Sequence, residues 1–495
     1  MILESPPAFC NFDTANHPRP HKTALVAPHK TPTIDKDVQW KLMQEAGFNT
    51  FNFPADELLV DLLSDSGTTT LTVDQLAKMV LCLGKEAYGS PFAYKDLVET
   101  MRKIFGMHTQ DWEIYFFHQG RTAEHALFSP LGKLVRQKSH VVSNGHFDTT
   151  RANIIANDMI ATDIATVETR HESEQRKYRH FLGSMDDNVL ALALDERKRE
   201  IPLVYSTITN NRVGGLAVSL QNLKLVRALC NRYNKPFFLD ACRFAENAWF
   251  IKRYEPEYKD KTIQEIVHEM FSLCDGFTIS FKKDGLSHMG GALVIRKQSH
   301  LPSEFPELLN MIRDHQLLTE GNDKQGGMTL FDMASVAEGL TRVVEEDYLN
   351  GRIEQVGAFG MEMARMGIPV IQPFGGHAIY IDTDKFFEGT KMKREDFGGI
   401  ALTALLLLKG VRACELGAFA FGTWNPKTRK EEFSGKNLVR CAVPRNKYEE
   451  VDLQYVADCV RGLFERRDQI PRAVPVYGRD LTLRHFKARF KLESM

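Results

Sequence analysis

The sequence predicts an α/β fold with a parallel sheet, followed by a second, smaller α+β domain, and three patterns carry that expectation. Short apolar runs such as IPLVYSTIT (201–209) and KPFFLDA (235–241) have the length and the β-branched or aromatic content of buried strands. Segments of helical period, LTVDQLAKMVLCLG (71–84) and LAVSLQNLKLVRALCNRYN (216–234), alternate with them, as βαβ units require. From about Asp347 a long helical stretch leads to GIPVIQPFGGHAIYIDTD (367–384) and NLVRCAVPR (437–445), which predicts the second domain.

Composition narrows the class of function. The 495 residues can bury a large core, and 43% hydrophobic with 26% charged residues is ordinary for a globular protein. With 63 basic against 64 acidic side chains, the formal charge of −1 shows no bias toward nucleic acid or anionic lipid, so a small-molecule partner is expected. The longest apolar run, IALTALLLLKGV (400–411), is too short for the roughly 20 residues of a membrane span and reads as a core helix. Eight scattered cysteines, Cys10 among them, form neither a CxxC pair nor a zinc-like spacing, which points to a reducing cytoplasm. The first 22 residues lack a basic start followed by an apolar segment and read as an extended arm.

Two stretches carry chemistry. KPFFLDACRFAENAWF ends an apolar strand at Asp240, with Arg243 three residues on, and DGFTISFKKDGLSHMGG runs a second strand into Lys282 and Lys283. Ligands gather at the carboxyl ends of strands in open α/β sheets. A carboxylate beneath a protonated ring nitrogen and a lysine that forms a Schiff base are the two groups that pyridoxal phosphate needs. Taken alone, an Asp in the place of Asp240 is more often a helix N-cap and such lysines more often a solvated turn. FFHQGRTAEHAL sets Gln119, Gly120 and Arg121 at the opening of a helix, where free amides and the helix dipole favour a phosphate, and NGHFDTTRANI offers Phe147 as a stacking ring or as a core aromatic.

The segments FDTTRANI, TNNRVGG, FLDACRFAENAWFIKRYEPEY, EIVHEMFSLCDGFTISFKKDGLSHMGG and RHFKARF, in that order, resemble the tryptophanase and tyrosine phenol-lyase family from about Phe48 to Phe490. The resemblance implies the aspartate aminotransferase fold (fold type I). It implies an arm over 1–66 packing with the small domain, a large cofactor-binding domain over 67–335 and a small C-terminal domain over 336–495. It also implies pyridoxal-phosphate-dependent cleavage of an aromatic amino acid to the arene, pyruvate and ammonia. Position by position, Lys283 is the expected Schiff-base residue and Asp240 the pyridinium partner. Phe147 is the stacking ring, Gln119, Gly120, Arg121 and Ser280 form the phosphate site, and Arg243 lies near the cofactor. Lys282 would disfavour the protonated form of its neighbour. Asn211 is expected at the cofactor's phenolic oxygen and the substrate carboxylate, with Ser64 and Phe486 also at the substrate. Arg440 is expected to hold the α-carboxylate, which needs a planar bidentate fork. Tyr88 matches a general acid donated by a neighbouring subunit of a homotetramer, a dimer of dimers with shared active sites. Glu86, with the carbonyls of Gly67 and His288, matches the site of a monovalent cation, potassium.

Specificity is expected from three positions where the tyrosine enzymes grip a phenol oxygen or carry a Phe. Here they are Asp148, Leu416 (in VRACELG) and His485, as in tryptophanases, so tryptophan and indole are favoured. Arg212, Leu216, Ala217, Gln325 and Lys487 depart from both subfamilies, and an extra cation at the pocket would suit an acidic or otherwise altered side chain. A lyase acting on S-substituted cysteines would keep the whole set. An aminotransferase would need neither Tyr88 nor Glu86.

Overall fold

A computed structural model describes residues 3–6, 33–107, 111–170, 178–433 and 435–495. Cys10 and residues 1–2 and 7–32 of the expected N-terminal arm lie outside the described residues. The chain divides into two compact units, one of residues 66–353 and one of residues 1–65 with 354–495. The division falls at Ile353/Glu354 rather than at 335/336, because helix Leu330–Val343 packs on helices Val73–Leu81 and Phe92–Phe105 of the first unit.

A seven-stranded sheet forms the centre of the 66–353 unit. In chain order its strands are β1 (Trp112–Phe117), β2 (His140–Ser143), β3 (Ile160–Asp163), β4 (Leu203–Thr207), β5 (Phe237–Asp240), β6 (Gly276–Ser280) and β7 (Gly291–Arg296). Their spatial order is β1-β7-β6-β5-β4-β2-β3, and β7 alone runs antiparallel to its neighbours. Strands β4, β5 and β6 are buried at every position, as both-sided burial beneath helices demands. Phe237, Leu239, Phe277 and Ile279 enter one apolar cluster, whereas Tyr205 and Phe238 enter another with helix α1 (Gly120–Leu134).

Local chemistry sets several boundaries. The expected helix over 216–234 begins only at Leu220: Ser219 Oγ accepts from Asn222 N and caps it, while Leu216 closes the preceding turn by accepting from Asn210 N. The apolar run 400–411 is helical only over Gly398–Leu407, fully buried, because Gly410 turns the chain at φ 68° and Val411 enters a short strand. Among the described residues no helix is long and apolar enough to cross a membrane.

The unit of 1–65 with 354–495 carries its own core. Its three-stranded antiparallel sheet has β10 (Leu438–Ala442) in the centre, flanked by β8 (Ala378–Asp382) and β9 (Cys414–Glu415). Arg440 stands opposite Tyr380 on one side and Cys414 on the other.

Candidate active site

In the 66–353 unit the expected cofactor residues meet at the carboxyl edge of the sheet. Asp240 ends β5 and Ser280 ends β6. Gln119 and Gly120 follow β1, Phe147 follows β2 and Asn211 follows β4. Parallel strands deliver all these positions to one edge, which is why residues far apart in sequence converge.

Backbone approach at the opening of α1 is tight. A Cβ on Gly120 would lie 2.6 Å from Ser280 Cβ, and one on Gly291 would lie 2.5 Å from the Gln119 carbonyl carbon. Among the described residues no side chain caps the first turn of α1, and the exposed Arg121 guanidinium has no carboxylate partner. Such a turn presents amides and a cation to an anion.

Asp240 is buried, and its Oδ1 accepts a long hydrogen bond from Cys242 N at 3.4 Å. No cation pairs with it among the described residues. Lys283, half-buried in the turn after β6, likewise has no ion pair there, and both groups act electrostatically on the buried Glu124 carboxyl and Cys242 thiol. Burial, then the charges of Lys283 and Arg121, pushes the Lys282 amine down. The hydroxyls of Ser206, Thr207 and Thr209, at and just past the end of β4, are buried without a partner. A buried carboxylate awaiting a cation, a lysine awaiting an electrophile, an uncapped helix start and orphaned hydroxyls fit pyridoxal phosphate.

Sequence reasoning missed the support beneath this edge. Glu124, one turn into α1, is fully buried and accepts from Thr150 Oγ1 at 2.5 Å and Thr149 Oγ1 at 3.2 Å, both on helix α2 (Asp148–Ala156). Burial, then the Asp240 charge, pushes its carboxyl up to about 7 against those hydrogen bonds and the Lys283 charge. The signal was available as a carboxylate inside the apolar face of RTAEHAL. Asp148 opens α2, where its Oδ1 accepts from Thr149 N, and Arg243 is buried at the start of helix Phe244–Tyr254.

Gly67 N donates to the Lys282 carbonyl at 2.7 Å, and a Cβ on Gly67 would sit 2.9 Å from the His288 carbonyl oxygen, so two of the three expected cation ligands are adjacent. Glu86 is exposed and makes no hydrogen bond or ion pair among the described residues. Tyr88 is 87% exposed, in a segment where Val80, Leu81, Leu83 and Phe92 are exposed too.

The expected substrate residues of the other unit form a neighbourhood of their own. Arg440 is buried on β10, with Nη2 donating to the Leu63 carbonyl at 3.0 Å beside Ser64, and its Nε has no partner. Among the described residues no carboxylate pairs with this guanidinium. Leu416 N donates to the Leu438 carbonyl two residues from Arg440, and the Leu416 side chain is buried. His485 is buried against Phe51 and Phe486, with ring centroids 5.7 and 4.2 Å away.

The departures resolve individually. Leu216 and Ala217 are buried, Gln325 Nε2 donates to the Ala87 carbonyl beside Tyr88, Lys487 is exposed, and Arg212 pairs with Asp163.

Fold and edge chemistry together define a fold type I pyridoxal-phosphate enzyme. The architecture is shared with a threonine aldolase from Leishmania major (TM-score 0.55, 15% identity, 82% of this chain and 99% of that one). It is also shared with a serine palmitoyltransferase from S. paucimobilis solved with bound pyridoxal phosphate (TM-score 0.53, 13% identity, 82% and 87%). The chain belongs to the β-eliminating lyase family, whose model matches residues 61–459, and is a pyridoxal-phosphate-dependent lyase. A probable β-eliminating lyase from Trichomonas vaginalis is 38% identical over 471 residues, 95% of this chain and 97% of that protein. A tryptophanase from Hyphomonas neptunium is 35% identical (95% and 98%), and a tyrosine phenol-lyase from Symbiobacterium sp. 34% (95% and 98%).

Proposed function

We propose that the enzyme eliminates the side chain of L-tryptophan, giving indole, pyruvate and ammonia. The observation that carries the choice of arene is the pair Leu416 and His485: a buried apolar side chain where a phenol oxygen would need a cation, and a buried imidazole between two aromatic rings. An imidazole can accept from the indole N–H as electron density leaves it, while Leu416 offers a phenolate nothing.

In this reading Asp240 holds the ring nitrogen of the cofactor and Phe147 covers its face, with Arg243 close by. Gln119, Gly120, Arg121 and Ser280 hold the phosphate, and Asn211 reaches the phenolic oxygen. Bound pyridoxal phosphate supplies an electron sink for the charge left when the α-proton departs. Lys283 would hold the cofactor and would take that proton on its Nζ. Arg440, whose buried guanidinium pairs with no carboxylate among the described residues, is assigned to the substrate's own α-carboxylate together with Ser64, and Asn211 is assigned to the substrate as well. Asp148 is assigned to the substrate side chain, as is Phe486. Tyr88 protonates the leaving ring carbon, reaching it from a neighbouring copy, and its exposure on an apolar patch supports this role. Homotetramers with shared sites follow, as does a potassium ion at Glu86 and the carbonyls of Gly67 and His288. The seven described cysteines are all free, which supports a reducing cytoplasm.

The test is to offer the purified enzyme a panel of amino acids, tryptophan, tyrosine and S-substituted cysteines among them, and to assay pyruvate and the released arene. Tryptophan should give both pyruvate and indole. Pyruvate from S-substituted cysteine with no indole from tryptophan would replace this substrate by a thiol-releasing one. Borohydride should fix the cofactor on Lys283 in a peptide map, and Lys283→Ala should abolish the adduct.

A further inference from the structure

Asp163 ends β3 next to Ser143, the last residue of β2. Its Oδ1 accepts from His146 N at 2.8 Å and His146 Nδ1 at 2.7 Å, and its Oδ2 receives the guanidiniums of Arg151 and Arg212. The carboxylate is thereby saturated by the residue just before Phe147, by helix α2, and by the residue just after Asn211. A second link runs parallel to the first. Asn210 Nδ2 donates to the Asn144 carbonyl at 3.0 Å, and Gly145 is so close that a Cβ there would meet Asn210 Oδ1 at 2.8 Å and Arg212 Cδ at 3.3 Å.

We infer that Arg212 is a positioning residue: through Asp163 it ties the turn carrying Asn211 to the loop carrying Phe147, so that both loops present a fixed face to the cofactor. Sequence reasoning pointed to a cation facing the substrate. The geometry pairs Arg212 Nη1 with Asp163 Oδ2, and a planar guanidinium suits Arg212 to brace two loops where a flexible ammonium would not. Burial would raise the Asp163 carboxyl, but the His146 hydrogen bond and both guanidiniums hold it well below the usual carboxylate range, so the tie stays ionised at any working pH. Burial pushes the His146 imidazole down, and among the described residues its Nε2 has no partner. Arg212 is therefore linked to the cofactor through Phe147 and Asn211 and not to the charge of the substrate.

This inference rests on the cofactor site proposed above. The experiment titrates pyridoxal phosphate into full-length apoprotein and follows the visible band of the bound cofactor, with Arg212→Met, Asp163→Asn and the double variant alongside the wild type. Each single variant should bind at least about tenfold more weakly, since a displaced loop spoils the fit of what it carries. The double variant should be little worse than Asp163→Asn, because both changes cut one link. The rate ratio between acidic and neutral amino-acid substrates should not move in Arg212→Met. Wild-type cofactor affinity in Arg212→Met, or a large shift of that ratio, overturns the inference while leaving the lyase reading intact. Wild-type protein that forms no adduct at Lys283 removes both. If circular dichroism shows Arg212→Met unfolded, Arg212→Gln, which keeps the length and polarity, carries the same comparison.

Discussion

Glu124 shows how one buried side chain ties the site to stability. In the unfolded chain its carboxyl ionises near 4.5, whereas in the fold it keeps its proton to about 7. Between those values the folded state binds more protons than the unfolded one. The Glu124 contribution is therefore complete below pH 4.5, declines as pH rises and is gone above 7, a loss of about 3 kcal/mol. Urea unfolding of the apoprotein at pH 5 and pH 8 should reveal that loss in the wild type and a flatter profile in Glu124→Gln. Equal pH slopes in the two proteins would place the titrating group elsewhere. His485 and Asp148 invite a kinetic comparison. Losing a polar contact made in the transition state costs about 2–4 kcal/mol, roughly 30- to 1000-fold in rate. His485→Phe and Asp148→Ala should each slow tryptophan far more than an S-aryl cysteine, whose leaving group needs no protonation at carbon. Parallel losses on both substrates would make the two residues merely structural.

The opening of α1 works because two glycines let backbone and strand ends touch. Gly120→Ala would push a methyl carbon to 2.6 Å from Ser280 Cβ, and α1 cannot retreat because Ala123, Ala126, Leu127 and Phe128 lock it to the sheet. Overpacking of this kind costs about 1–3 kcal/mol. Gly120→Ala should thus melt lower than the wild type and also need more pyridoxal phosphate for half-saturation. An unchanged saturation curve would show that the phosphate lies off this helix start. The helix over 220–233 makes the complementary point. The period of its apolar positions extends back to Leu216, yet the Ser219 cap and the Asn210 to Leu216 hydrogen bond stop it. A periodic pattern cannot register a long-range backbone partner.

For the molecule as a whole, the exposed Tyr88 with Val80, Leu81, Leu83 and Phe92 forms the strongest argument for a second copy. Inactive Tyr88→Phe protomers mixed with inactive Lys283→Ala protomers should regain part of the activity, because a hybrid holds one site with both groups intact. Absence of rescue, with hybrids confirmed by native mass spectrometry, would confine Tyr88 to its own chain's site. Leu81→Lys with Leu83→Lys should lower the assembly mass by light scattering, since a buried pair of ammonium groups opposes association.

By itself the sequence determined the α/β class, the strand ending at Asp240, a second strand leading toward Lys282 and Lys283, the helix opening at Gly120 and the family, because strand and helix period and short motifs are local properties of the chain. Only the tertiary structure decided what each charged group meets. Arg212 and Asp163, 49 positions apart, form an ion pair because β3 and the turn after β4 reach one sheet edge. Glu124 becomes a proton-holding acid because α2 delivers two threonines and the sheet delivers Asp240. Among the described residues the guanidinium of Arg440 meets a backbone carbonyl, that of Leu63, and no carboxylate. Electrostatic environment depends on distance and burial, and neither quantity is a function of neighbouring letters in the chain.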